Sequence, residues 1–169
     1  MTHLLTKDRV DLLFRLLFSS IFLGMGGEHL FSNALIRQMM PVWLASVPLV
    51  TEAAGIVLLV GGLHVLLGYR IHRGAAMLGG FLLVVTLGLH GPALFSHPAG
   101  LPSDWHWLWD VYQRSNFVKN LCLLGVCLQL LHHVPGRYSL DHWLAARRTP
   151  ASRAETAARG DLTGSGRRR

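Results

Sequence analysis

The sequence predicts an all-α integral membrane protein, a four-helix bundle followed by a disordered, basic C-terminal tail. Of the 169 residues, 51% are hydrophobic and only 15% are charged, whereas soluble domains carry about 25% charged residues. The mean hydropathy is +0.37. Four apolar stretches are each long enough to cross the roughly 30 Å hydrocarbon core of a bilayer as a helix. Barrel strands would be about half as long and would alternate in polarity, and these stretches do not.

The four predicted spans follow one another with short connections, at residues 10–31, 46–68, 74–95 and 115–133. The first is too long for a signal peptide and is followed by no cleavage site of small residues, so we expect it to remain as a helix. Residues 101–114 begin with a helix-start pattern and are expected to lie as a short interfacial helix before the last span. With its flanks, the predicted membrane domain covers residues 10–142.

Positive charge predicts how the spans are oriented. Twelve of the sixteen Lys and Arg residues fall on one side, in the N-terminal segment 1–9, the link 69–73 and the C-terminal segment 134–169. Cytoplasmic loops carry this excess, so both termini are expected in the cytoplasm, with the chain crossing the inner (plasma) membrane four times. The net charge of +7 is therefore explained by the lipid bilayer as the partner. It does not indicate binding of nucleic acid.

The last part of the chain, residues 143–169, has few apolar side chains and ends in Gly-Ser-Gly-Arg-Arg-Arg. Burial of so few apolar groups cannot offset the entropy lost on ordering. This segment is predicted to be a disordered cytoplasmic tail.

Polar residues inside the spans are informative because they are costly in lipid. Counting 1.5 Å per residue along each helix places seven of them at one depth, roughly 7–12 Å from the midplane on the outer side. We call this set the polar layer; it comprises Glu28, His29, Glu52, His90, Asn116, Lys119 and Asn120. Glu52 shares a helix face with Gly55 and Gly62, where small residues permit close packing, and Gly24, Gly27 and Glu28 lie together on the first span; both faces are expected to point into the bundle.

The polar layer has two interpretations at this point. It is either structural, a buried Glu52–Lys119 ion pair with hydrogen bonds from His and Asn, or a small pocket for a quinone head group, a proton or a metal. The spacing disfavours a metal, because there is no Glu-x-x-His pair and the adjacent Glu28 and His29 cannot share a helix face. We therefore predict no metal site. Arg15, nearer the cytoplasmic end, is expected either to snorkel or to pair with Asp11.

Two segments near the C-terminus carry a family resemblance. The run Asn-Phe-Val-Lys-Asn-Leu at 116–121 is followed by Gly-Arg-Tyr-Ser-Leu-Asp at 136–141, and Glu52 with Gly61-Gly62 adds a weaker match. Together with Arg15-Leu and Gly27-Glu-His-Leu in the first span, this pattern resembles the DoxX family of small four-helix membrane proteins over residues 10–142. The resemblance implies a membrane subunit of the kind associated with quinone-linked sulfur oxidation or with complexes that handle oxidative stress.

These observations give two hypotheses of function. In the first, the protein is a redox-linked subunit that binds quinone. Glu52, His90 and Lys119 are its candidate catalytic residues, and Glu28, His29, Asn116 and Asn120 line the quinone pocket. No cofactor motif is present, so electrons would come from a membrane or soluble redox partner protein, and quinone is the only cofactor expected. In the second, the protein is a non-catalytic scaffold whose polar layer serves packing. The sequence leaves open whether the chain is an enzyme.

Overall fold

A computed structural model of the chain describes residues 6–38, 40–47 and 49–147, and its regular structure within these ranges is entirely helical. The elements are, in order, α1 (Lys7–Phe31), α2 (Asn33–Gln38), α3 (Val42–Ala45), α4 (Val50–Leu67), α5 (Ile71–Val85), a π-helical turn (Thr86–His90), α6 (Gly91–Ala93), a 3₁₀ turn (Ser103–Trp105) and α7 (His106–Leu130). Residues 140–147 are also helical.

Three helical stretches are long and apolar enough to cross a membrane, namely Lys7–Phe31, Val50–Leu67 and Ile71–Ala93. They correspond to the first three predicted spans, and they indicate a membrane protein. The fourth predicted span coincides with α7 over residues 115–130, and α7 begins earlier than expected because residues 106–114 join it without interruption. No Gly or Pro separates these residues from the apolar stretch, so nothing ends the helix there, and the expectation of a separate interfacial helix is wrong.

The long helices pack in chain order, with α1 against α4, α4 against α5, and α5 against α7. Because consecutive long helices run in opposite directions, the domain has two ends. The start of α1, the α4–α5 turn and the end of α7 form what we call the Arg15 end. The end of α1, the short helices α2 and α3, and the loop before α7 form the His29 end.

Glycine brings α1 and α4 close together. A Cβ atom at Gly26 would lie 2.8 Å from Cγ of Leu59 and 3.0 Å from the carbonyl oxygen of Gly55. The predicted glycine face of α4 is therefore present. On α1, however, Cβ atoms at Gly24 and Gly27 would meet nothing within 4 Å. The packing glycine of α1 is Gly26, and the inward face predicted from Gly24 and Gly27 is wrong.

The interior is apolar, and so is much of the surface. The buried core includes Phe22, Leu58, Leu78 and Leu130. Large apolar side chains are also exposed on the outside of the helices, including Val84 at 71%. Helices that are hydrophobic all round are typical of membrane spans.

The helical segment 140–147 extends into the predicted tail. The Ser139 hydroxyl accepts a hydrogen bond from the backbone N–H of His142 at 3.2 Å, as an N-cap residue does. The Arg147 guanidinium lies 3.8 Å from the centre of the Trp143 ring. The prediction of disorder is therefore wrong for residues 143–147, where a cap and a cation–π contact support a helix. The remainder of the predicted tail, 148–169, lies outside the described residues.

Candidate functional site

A cavity of about 350 Å³, which we call the central cavity, lies between the long helices toward the His29 end. All four long helices contribute to its walls, which are mainly apolar. Five members of the polar layer line it: His29, His90, Asn116, Lys119 and Asn120. A cavity with apolar walls and a few convergent polar groups is the usual form of a small-molecule site.

Lys119 supplies a positive charge to this cavity. Its ammonium donates a hydrogen bond of 2.8 Å to Oδ1 of Asn116, and Nδ2 of Asn116 donates in turn to the carbonyl oxygen of Tyr112 at 3.1 Å. Within the described part of the chain, Asn116 is the hydrogen-bond partner of Lys119, and an ammonium has three donor hydrogens. Lys119 therefore retains donor capacity for a ligand, and the buried Asn120 lies beside it on the cavity wall.

Two histidines line the same cavity, and the Nδ1 atom of each forms a hydrogen bond within the protein. His29 donates from Nδ1 to the carbonyl oxygen of Met25 at 2.7 Å. His90 bonds through Nδ1 to Oε1 of Gln113, also at 2.7 Å. Because both partners are acceptors, each neutral ring carries its proton on Nδ1. Among the described residues, Nε2 of these two rings has no hydrogen-bond partner, so it can accept a hydrogen bond or a proton.

A wide helical turn positions His90. The backbone N–H of Gly91 bonds to the carbonyl oxygen of Thr86, five residues earlier, which makes Thr86–His90 a π-helical turn. Pro92 follows immediately and has no N–H to continue the ordinary ladder. Such turns occur frequently at functional sites because the extra residue changes the direction of the side chains. The Gly-Pro pair after His90 is the sequence signal for this irregularity.

The two glutamates of the polar layer do not line the central cavity. Glu28 is exposed, because it is adjacent to the inward-facing His29 and a helix rotates about 100° per residue. Glu52 is half-buried, and its Oε2 lies 3.4 Å from a guanidinium nitrogen of Arg37 on α2. The predicted Glu52–Lys119 pair is therefore wrong: α2 folds over the first turn of α4 and supplies the cation, while Lys119 bonds to Asn116.

A second cavity of about 630 Å³, the end cavity, adjoins the central one at the His29 end. The two share five wall residues: Met40, Gly88, Leu89, His90 and Tyr112. Ser96, His97 and Trp109 give the end cavity a more polar rim. His90 thus borders both cavities. Its partner Gln113 was not predicted as a site residue, although it shares a face of α7 with Asn116 and Asn120, and that spacing indicates it.

A separate polar cluster lies at the Arg15 end. Arg15 is completely buried. Its guanidinium donates to Oδ2 of Asp11 at 3.0 Å, to the carbonyl oxygen of Leu66 at 2.8 Å and to that of Tyr138 at 2.7 Å. The predicted pairing with Asp11 is therefore present, and the alternative of snorkelling is wrong.

The segment after α7 completes this cluster. Asp11 also accepts hydrogen bonds from Nε2 of His133 at 2.6 Å and from the backbone N–H of Gly136 at 3.0 Å. Asp8 accepts one from the backbone N–H of Arg137 at 3.0 Å. We call Asp11, Arg15, His133 and their backbone partners the Arg15 network. It ties the chain after α7 to α1 and to the α4–α5 turn, and its role is structural.

Comparison with known proteins finds no matching family model, no matching curated protein and no matching solved structure. In the described ranges no three His, Cys, Asp or Glu side chains converge as a metal site would require.

Proposed function

We propose that this protein is a DoxX-like four-helix bundle of the inner membrane that binds a quinone in the central cavity, as a redox-linked subunit of an oxidative-stress or sulfur-oxidation type complex. Both termini lie in the cytoplasm in this proposal. Its support is the motif resemblance, the three membrane-length helices and the concentration of Lys and Arg on one side. With α7 as the fourth span, the central cavity lies in the outer half of the bilayer.

The observation that carries the proposal is the composition of the central cavity. A quinone is a flat apolar ring with two carbonyl oxygens that accept hydrogen bonds. The apolar walls match the ring, and the adjacent residues Lys119 and Asn120 of α7 both line the cavity and provide donors. A charged donor in a largely apolar cavity forms a strong hydrogen bond.

Reduction of a quinone to a quinol consumes two electrons and two protons. His90 is the residue suited to deliver these protons to the quinone, because its Nε2 can take up and release a proton. Its ring also borders the end cavity. The electrons come from a redox partner protein. Glu28 and Glu52 take no direct part, since they lie outside the cavity, and Glu52 instead helps to hold α2 through Arg37.

A non-catalytic scaffold subunit is the second candidate function. The observation that favours it is the Arg15 network, in which part of the family-like motif, from Gly136 to Tyr138, is used entirely for packing. A scaffold needs no ligand in the central cavity, so ligand binding separates the two candidates.

Lys119→Met is expected to weaken binding of a short-chain, water-soluble benzoquinone by at least about tenfold, roughly 1.4 kcal/mol, because it removes a charged hydrogen-bond donor. Binding is measured by titration of the detergent-purified protein, and quinone that copurifies is extracted with solvent and quantified. Gln129→Met, an exposed polar position on the same helix, is the control and should bind like the wild type. A well-folded wild-type protein that neither copurifies with quinone nor binds the probe would favour the scaffold.

A further inference from the structure

The walls of the central cavity are closed at some positions and open at others. Leu58 on α4 and Leu82 on α5 are buried, at 2% and 4% exposure. Met25 on α1 is 36% exposed, Ile21 and Leu123 are half-buried, and Val84 on α5 is 71% exposed. Exposure alone therefore does not select the side from which a ligand enters.

Helix packing selects one side. In the described residues α1 packs on α4 and α7 packs on α5, while α1 and α7 have no comparable mutual contact. At the Arg15 end the segment just after α7 contacts α1: the ring centres of His133 and Phe14 lie 6.4 Å apart, and Nε2 of His133 bonds to Asp11. Toward the His29 end, the described residues show no ring contact or side-chain hydrogen bond between α1 and α7. We call the gap bordered by Ile21, Met25 and Leu123 the lateral opening.

The border of the lateral opening is apolar, and the apolar surface continues beyond it. Leu17 lies one turn from Ile21 on α1, toward the Arg15 end, and is 66% exposed. A polar solute would gain no hydrogen bond from this path. A hydrocarbon chain would match it along its length.

We infer that the ligand of the central cavity is lipid-borne: it enters sideways from the bilayer, its head group lies near Lys119, and its isoprenoid or alkyl tail leaves between α1 and α7. This inference rests on the proposed function and narrows its ligand to tailed quinones. A cavity of about 350 Å³ is at the small end of ligand sites. It suits a head group, so a long tail must extend outside it.

Leu17→Asn tests the inference at a position on the path of the tail that lines neither cavity. Two probes are titrated, a benzoquinone without a tail and the same head group with a ten-carbon alkyl tail. We expect affinity for the tailed probe to fall at least about fivefold, because a polar amide replaces an apolar contact, while affinity for the tail-less probe stays within about twofold. Leu121→Asn is the control, because Leu121 is 46% exposed on α7 and lines neither cavity. An equal loss for both probes, or no loss for either, overturns the lateral opening.

A second measurement tests the lateral opening independently of quinone binding, so that its failure can be distinguished from failure of the proposed function. A phospholipid with a photoreactive diazirine in its acyl chain is incorporated into vesicles with the wild-type protein, and labelled residues are identified by mass spectrometry. Labelling of Ile21, Met25 or Leu123 supports the opening even if neither quinone binds. Labelling confined to outward positions such as Leu121 and Val118 overturns it, whatever the quinone titrations show.

Discussion

Arg15→Met is expected to lower the free energy of unfolding by about 3–5 kcal/mol, the usual effect of removing one partner of a buried ion pair. Arg15 is completely buried. Without it the buried Asp11 loses its cation, and the carbonyl oxygens of Leu66 and Tyr138 lose donors at 2.8 and 2.7 Å. Equilibrium unfolding in detergent, followed by circular dichroism, measures the change.

Two further variants show whether the guanidinium of Arg15 is responsible for this stabilisation. Arg73→Met removes an exposed arginine at the same end of the domain and should change stability by less than about 0.5 kcal/mol. Arg15→Lys keeps the charge but loses the planar fork that reaches three acceptors, so an intermediate loss is expected. Stability of Arg15→Met equal to that of Arg73→Met would contradict the role assigned to the Arg15 network.

Gly68→Ala is expected to destabilise the protein by about 2–5 kcal/mol, the sum of backbone strain and overpacking. Gly68 ends α4 in the left-handed region, with φ of 60°. A Cβ atom there would lie 2.6 Å from Cβ of Ser139 and 2.8 Å from a guanidinium nitrogen of Arg15. The added methyl group would therefore push apart the α4–α5 turn and the segment after α7.

Gly100→Ala is the matched control for that change. Gly100 also has a positive φ, 89°, but a Cβ atom there would meet nothing within 4 Å. Gly100→Ala should therefore lower the free energy of unfolding by the backbone strain alone, of order 1–2 kcal/mol. Thermal unfolding of the two variants measures the difference. Equal losses would mean that the close approach at Gly68 contributes nothing to stability.

The helices were predictable from the sequence, whereas the point at which α7 begins was not. Long apolar runs impose helices because lipid offers no partners for backbone groups, and α1, α4 and α5 begin within a few residues of the predicted positions. Residues 106–114 are mixed in polarity. Hydropathy alone does not distinguish a continuation of the same helix from a separate interfacial one.

Which helices bring polar residues to the candidate site was predictable, whereas the direction of each side chain was not. Residue counting places the polar layer at one level, and His29, His90, Lys119 and both asparagines do line one cavity. Which way a side chain points depends on the rotation of its helix, set by packing such as that of Gly26 on Gly55. The Glu52–Arg37 contact depends on how α2 folds back, which no periodicity in the sequence indicates.

The Arg15 network also contains contacts that could not be predicted from the sequence, because the partners are far apart along the chain. The Asp11–Arg15 pair follows from their spacing of four residues on one helix. The other acceptors of Arg15 lie 51 and 123 residues away along the chain, at Leu66 and Tyr138. Partners that distant are set by tertiary structure, so the sequence left both snorkelling and pairing open.

The most direct test of the central claim, that the central cavity binds a quinone, is photo-cross-linking of the wild-type protein in vesicles with an azido-substituted, tailed quinone. Labelled peptides are identified by mass spectrometry, with and without excess unlabelled quinone. We expect competed labelling at cavity residues such as Met25, Leu89 and Leu123, from three different helical segments. Labelling that excess quinone does not reduce, or that falls only on outward positions such as Leu121 and Leu128, would contradict the claim.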